Sequence, residues 1–173
     1  MNKIAIFFGS DLGNTEDAAQ RIGEILKPYG VDIFDVGKTP IDTMSNYDYL
    51  FLGHPTWDYG GLQMDWDENW EALEAQSFEG KTVACFGMGD QYGYAEFFQD
   101  AMGLMHDIVK DNGGKMVGYW PNDGYEHEES KALTKDGKMF VGLALDEDNQ
   151  EYLTQERIDA WTKQVIEEMG LDS

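Results

Sequence analysis

The stretch KIAIFFGSDLGNTE, residues 3–16, reads as a strand, a turn and the start of a helix in immediate succession. The apolar run KIAIFF stops at Gly9, and the following GSDLGNTE is small or polar. Beyond it Ala18, Ile22, Ile25 and Leu26 share one helical face. A glycine-containing turn ahead of a helix offers backbone N–H groups and the positive end of a helix dipole, which suits an anion. Yet the turn has no Lys or Arg and carries Asp11 and Glu16. It is not a Walker loop, lacking a Lys before its Ser/Thr, and it lacks the spacing of the dinucleotide fingerprint. On its own residues, an ordinary turn capped by Asn14 or Thr15 and a phosphate cradle are equally supported.

Working outward, VDIFDV (31–36), YLFLG (49–53), TVACFG (82–87), KMVGYW (115–120) and MFVGLAL (139–145) are further strand candidates. Several are nearly continuous in apolar character, as in a parallel sheet covered on both faces. Helical stripes lie between them: Phe98, Met102, Met105 and Val109, then Ile158, Trp161, Val165 and Met169. The last helix is expected to start at Thr154 as N-cap, with Leu153 and Ile158 as a hydrophobic staple. Strand–helix alternation predicts right-handed crossovers and a parallel α/β sheet. PNDGYEHEESKALTKDGK, residues 121–138, is polar, carries Gly and Pro, and reads as an insertion or long loop. If the runs flanking it are halves of one edge strand, the sheet has five strands.

The 173 residues are the length of one domain, and a formal net charge of −22, from 12 Lys+Arg against 34 Asp+Glu, excludes whole classes of partner. A nucleic-acid backbone or an anionic membrane would be repelled, whereas basic proteins would be attracted. Cys85, in the apolar run TVACF, reads as a buried structural thiol, and one cysteine allows no internal disulfide. The N-terminal apolar run is too short for a signal peptide, and no segment is long and apolar enough to span a bilayer. These features fit a cytoplasmic protein. His54, His106 and His127 share no metal spacing, and DEDNQ (146–150) reads as a solvated acidic turn rather than a calcium loop. Asp65, Asp67, Glu68, Glu71 and Glu74 form either a solubilising helix face or a patch for basic partners.

Two more loops at predicted strand ends are unusual. HPTWDYGG (54–61) places Pro55 at the exit of the third strand and Trp57 just beyond it. GMGDQYGYAEF (87–97) combines three glycines with Asp90, Tyr92 and Tyr94. Glycine permits close backbone approach and tyrosine supplies a flat stacking face. In an open parallel sheet, ligands bind beyond the carboxyl ends of the strands. The three loops thus describe either incidental turns or a site for a flat molecule with a phosphate tail.

SDLGNT, PTW and GDQYGYAEFFQDAMG, in this order and spacing, resemble the flavodoxins, as do the later YWPNDGY and FVGLALDEDNQ. The resemblance runs from about Lys3 to Leu171, and the insertion at 121–138 makes the chain similar to the long-chain type. It implies one domain spanning 1–173: a three-layer α/β/α fold whose five-stranded parallel sheet has the order 2-1-3-4-5 and an interrupted fifth strand. It also implies a monomer that binds FMN non-covalently and carries single electrons, mainly between the semiquinone and hydroquinone states, rather than an enzyme. The implied partners are redox proteins such as ferredoxin/flavodoxin–NADP reductases, photosystem I, nitrogenase or reductive activation systems.

By the same resemblance, the Ser10 and Thr15 hydroxyls and backbone N–H groups of Asp11, Leu12, Gly13, Asn14 and Thr15 hold the phosphate. Thr56, next to Pro55, reaches the phosphate or ribityl end. Trp57 and Tyr94 cover the two faces of the isoalloxazine, while Asp90 and the loop backbone at Gly89 meet its pyrimidine edge or the ribityl chain. The Asp58 carbonyl, in the peptide to Tyr59 and beside Gly60, is placed to accept from the flavin N5–H. Leu12 departs from the family, which usually has Thr there. No Lys or Arg occurs between Lys38 and Lys81 or between Lys81 and Lys110, where both aromatic loops lie. Carboxylates and excluded water then disfavour the reduced flavin anion and make it a strong reductant. An FMN-dependent quinone reductase and a flavin-free regulatory module on the same fold are the competing readings.

Overall fold

The computed structural model describes residues 3–9, 13–57 and 61–171, with Trp57 described in its backbone only. In chain order the strands are β1 (Ile4–Phe8), β2 (Val31–Asp35), β3 (Tyr49–Trp57), β4 (Gly61–Leu62), β5 (Thr82–Met88), β6 (Lys115–Val117), β7 (Trp120–Pro121), β8 (Met139–Phe140) and β9 (Leu143–Leu145). The α-helices are α1 (Asn14–Leu26), α2 (Met64–Glu68), α3 (Trp70–Ala75), α4 (Asp100–Asp111), α5 (Glu147–Gln150) and α6 (Thr154–Met169). The main sheet runs β2-β1-β3-β5-β6, with parallel pairing throughout that path.

β6 lies along Thr82–Ala84 of β5, and β9 continues the same parallel edge along Phe86–Met88. The two are halves of one fifth strand, so the expected order holds once they are counted together. Gly118, at φ 80°, turns the chain off the sheet after β6, and its carbonyl accepts from Trp161 Nε1 at 2.7 Å. Few residues other than glycine adopt that φ. The excursion carries its own antiparallel ribbon, β7 with β8. The strand candidates 115–120 and 139–145 are therefore each divided between sheet and ribbon.

Alternation along the central strands fills both faces. Ala5, Phe7, Leu50, Leu52, Val83 and Cys85 pack with Trp66, Leu73, Met102, Met105 and Val109 beneath α2, α3 and α4. Ile4, Ile6, Phe8, Phe51, Ala84 and Phe86 pack with Ile22, Leu26, Ile158, Trp161 and Val165 beneath α1 and α6. Ala132, Phe140 and Val141 extend the first of these cores, so the excursion contributes apolar side chains of its own.

Two expectations need correction. β3 does not end at Gly53 but continues through Pro55 to Trp57, where it meets β4 in an antiparallel hairpin. β1 has ended opposite Gly53, so β3 is an edge on that side and tolerates a residue without an N–H. Thr154 is not an N-cap: it is already helical, at φ −57° and ψ −51°, after the helical turn Glu151–Leu153. Because that turn follows α5 directly, the chain never takes the extended conformation that an N-cap requires.

Candidate functional site

Three turns leave the same end of three adjacent strands. Phe8 at the end of β1 lies opposite Gly53, and His54 and Pro55 of β3 lie opposite Gly87 and Met88 of β5. In the first turn, Gly9 donates its N–H to the Gly53 carbonyl at 3.2 Å. A Cβ at Gly9 would stand 2.2 Å from Gln63 Oε1 and 2.6 Å from Trp66 Cδ1. Only glycine allows this approach. Trp66 is fully buried and anchored by Nε1–H to the Gly53 carbonyl at 2.8 Å, so it supports the turn from below.

The helix after that turn begins differently from expectation. Gly13, at φ 91°, occupies the N-cap position and provides no side-chain cap, while Asn14 and Thr15 lie inside α1. Asn14 is exposed and Thr15 buried. The helical ladder opens with Asp17 N–H to Gly13 O at 2.9 Å, so helix geometry provides no intrahelical acceptor for the N–H groups of Asn14, Thr15 and Glu16. Ser10, Asp11 and Leu12 lie outside the described residues.

In the second turn Asp58, Tyr59 and Gly60 also lie outside the described residues, as does the Trp57 side chain; the Trp57 backbone pairs with Gly61. Thr56 Oγ1 accepts from the Ala101 N–H at 3.0 Å. This bond supplies an acceptor to α4, whose own N-cap residue, Gln99, makes no side-chain cap. His54 is fully buried, stacked on Trp66 with centroids 5.5 Å apart, and its Nδ1 lies 2.7 Å from the Pro55 carbonyl. Burial pulls its pKa down to about 3, outweighing that hydrogen bond. The ring is neutral at physiological pH and brings no charge to the neighbouring turn.

In the third turn the Asp90 carboxylate folds back on its own loop. It accepts from the N–H groups of Tyr92 at 3.1 Å and Gly93 at 2.7 Å, and from the Asn149 amide at 2.7 Å. Burial acts to raise its pKa, but the bonds from Gly93, Asn149 and Tyr92 outweigh that and hold it below the usual carboxylate range. Gly89 donates to the Leu145 carbonyl at 2.9 Å, and Tyr94 donates its N–H to the Asp90 carbonyl at 3.0 Å. Tyr94 is 38% exposed. Tyr92 is exposed and donates its hydroxyl to Glu126 at 2.8 Å.

Sequence reasoning missed the polar residues beneath this turn. Asp146 is fully buried rather than part of a solvated acidic turn, and so is Gln91. Gln99 is buried at φ 62° and donates its amide to the Leu145 carbonyl at 3.0 Å. Nothing in the local pattern marks them, because polar residues in a glycine-rich or acidic run read as exposed.

Lys81 lies at the opposite end of β5 and donates to the Ser45 and Tyr47 carbonyls at 3.1 and 2.6 Å. Arg157 bonds Gln150 at 2.8 Å and stands 4.2 Å over the Tyr125 ring. Asp67, Glu68, Glu71 and Glu74 are exposed on α2 and α3, whereas Asp65 accepts from Gln63 at 3.0 Å. Cys85 is buried, and burial, reinforced by the charge of Asp107, pushes its thiol up to about 12. Among the described residues there is no cluster of His, Cys, Asp and Glu fit for a metal ion, and no helix long and apolar enough to cross a membrane.

Comparison with known proteins agrees with this architecture. The Flavodoxin family model matches residues 6–161. A flavodoxin of Picosynechococcus sp. is 50% identical over 172 residues, covering 99% of this chain and all of its own. Flavodoxin 1 of Escherichia coli is 50% identical over 167 residues, covering 96% of this chain and 94% of its own. The crystal structure of Fusobacterium nucleatum flavodoxin bound to flavin mononucleotide superposes with a TM-score of 0.91 at 36% identity, covering 97% of this chain and 99% of that one. On sequence, length and fold together, the chain belongs to the flavodoxin family.

Proposed function

We propose that this protein, acting as one domain over residues 1–173, is a low-potential one-electron carrier that holds FMN non-covalently. The observation that carries the reading is that β1, β3 and β5 end side by side, next to the N-terminus of α1. The residues fit the cofactor. A glycine at the helix start and first-turn N–H groups without intrahelical acceptors suit a dianionic phosphate without a cation. An exposed Tyr94 over a glycine-rich loop suits a planar ring.

In this proposal Ser10, Thr15 and the N–H groups of residues 11–15 hold the phosphate, with Thr56 at the ribityl end. Trp57 and Tyr94 cover the ring faces and exclude water, Asp90 shapes the turn beneath Tyr94, and the Asp58 carbonyl accepts from the flavin N5–H. Bound FMN supplies two successive one-electron reductions, and the protein works between its two more reduced states. The chain sets the potential by what it withholds: no Lys or Arg occurs in the stretches 39–80 and 82–109. Negative charge at low dielectric disfavours further electron gain.

The exposed carboxylates on α2 and α3 make basic redox proteins the proposed partners, including ferredoxin/flavodoxin–NADP reductases, photosystem I, nitrogenase and reductive activation systems; the proposed setting is the cytoplasm. Titration of the apoprotein with FMN tests the assignment. One-to-one quenching of flavin fluorescence is expected, and flavin fluorescence unchanged by excess protein would overturn it.

A further inference from the structure

The buried carboxylate of Asp146 lies directly beneath the third turn, and its hydrogen bonds are unusual in kind. Oδ2 accepts from the Gln91 N–H at 3.1 Å, the Gln91 side-chain amide at 2.8 Å and the Asn149 amide at 2.9 Å. Oδ1 accepts from the Asn149 N–H at 3.0 Å and its amide at 3.2 Å. Every donor is neutral, and among the described residues no Lys or Arg pairs with Asp146. A buried charge is normally compensated by a partner ion or by complete hydrogen bonding. Here it is the latter, and the donors belong to the loop and to the residue that holds Asp90.

The connections run in two directions. Asn149 also donates to Asp90 at 2.7 Å, fixing the turn that carries Tyr94. Gln91 Oε1 accepts from the backbone N–H of Glu126, linking the hub outward to the insertion. Ala95 O, further along the loop, accepts from the Glu128 and Glu129 N–H groups at 2.8 and 3.0 Å. The loop is therefore held from inside by Asp146 and from outside by residues 126–129.

We infer that Asp146 is a positioning residue for the aromatic turn: through Gln91 and the Asn149–Asp90 bond it fixes Tyr94 against the flavin and so sets how long FMN is retained. The inference rests on the FMN reading above. An asparagine at 146 has almost the same shape but turns one acceptor into a donor. In either orientation its NH₂ faces the N–H donors of Gln91 or of Asn149, and two donors cannot bond each other.

The test uses the full chain, with and without FMN. Asp146→Asn should speed FMN release at least tenfold and increase amide exchange in residues 90–97 of the apoprotein. In a Tyr94→Ala background the same substitution should leave FMN release nearly unchanged, because the effect passes through Tyr94. A merely structural role would give equal effects in both backgrounds. Asn149→Ala keeps the Asn149 N–H bond to Asp146 but removes the amide that joins Asp146 to Asp90, and should speed release about threefold; it serves if Asp146→Asn does not fold. Unaltered exchange in 90–97, or equal effects with and without Tyr94, would overturn the inference. If the wild type itself takes no FMN, the functional reading fails, while exchange in the apoprotein still decides whether Asp146 holds the loop.

Discussion

Thr56→Val isolates one atom at the centre of the site. The Thr56 hydroxyl oxygen accepts from Ala101 N–H at 3.0 Å, and Ala101 is fully buried. Valine matches threonine in volume, so no cavity forms and no side chain is displaced. What changes is that a buried N–H at the start of α4 loses its acceptor where water does not reach it. Leaving such a donor unpaired costs about 1–3 kcal/mol. The added methyl on this half-buried residue recovers a fraction of that, under about 0.8 kcal/mol. A net loss of about 1–2 kcal/mol lowers the melting temperature of a chain this size by about 2–8 °C. The assay is urea and thermal unfolding of the apoprotein, in which a cofactor contact contributes nothing. Thr56→Ser keeps the oxygen and should lie near wild type. The reasoning is refuted if Thr56→Val is within about 0.5 kcal/mol of wild type, the ordinary scatter of neutral substitutions, or if serine is as damaging as valine.

Other substitutions probe separate parts of the account. His54 has a folded pKa lowered from 6.5 to about 3, so the unfolded chain binds the extra proton first as pH falls. The stability it provides is complete above pH 6.5 and is lost between there and about 3, at up to about 1.4 kcal/mol per pH unit. Apoprotein melting curves from pH 7 to 4 should therefore fall more steeply for wild type than for His54→Leu. Leu12→Thr restores a hydroxyl to the proposed phosphate cradle and should tighten FMN binding by up to about 1.5–3 kcal/mol, read by titration of the apoprotein. Replacing Asp67, Glu68 and Glu71 by their amides should slow electron transfer to a basic reductase and flatten its salt dependence, since exposed charges beyond a Debye length are screened.

The parallel α/β sheet was legible in the sequence because the central runs are apolar on both faces, as IAIFF and TVACF are; the strand order was legible only through the resemblance to the flavodoxins. It missed the continuation of β3 through Pro55, since the loss of β1 as a neighbour is a property of the sheet and not of the residues. It placed an N-cap at Thr154 from residue preference, although the preceding turn was already helical. Glycine, serine and aromatic residues at strand ends made the three turns visible. The residues that hold those turns were not visible: Trp66 reads as one more core aromatic, and Asp146 and Gln91 as solvated polar residues. Their roles arise from partners 13, 55 and 35 positions away along the chain. The insertion also looked like a loop by composition, yet its Ala132 is part of the core beneath α2, α3 and α4, and its Tyr125 packs against that core.

The central claim is that this end of the sheet holds FMN without a cation and so separates its two reductions. Stepwise reduction of the FMN-loaded protein, followed by absorbance against a series of reference dyes, tests that directly. The account predicts two well-separated one-electron steps, the second at a potential well below that of free FMN. A single two-electron step, near the potential of the free cofactor, would contradict it.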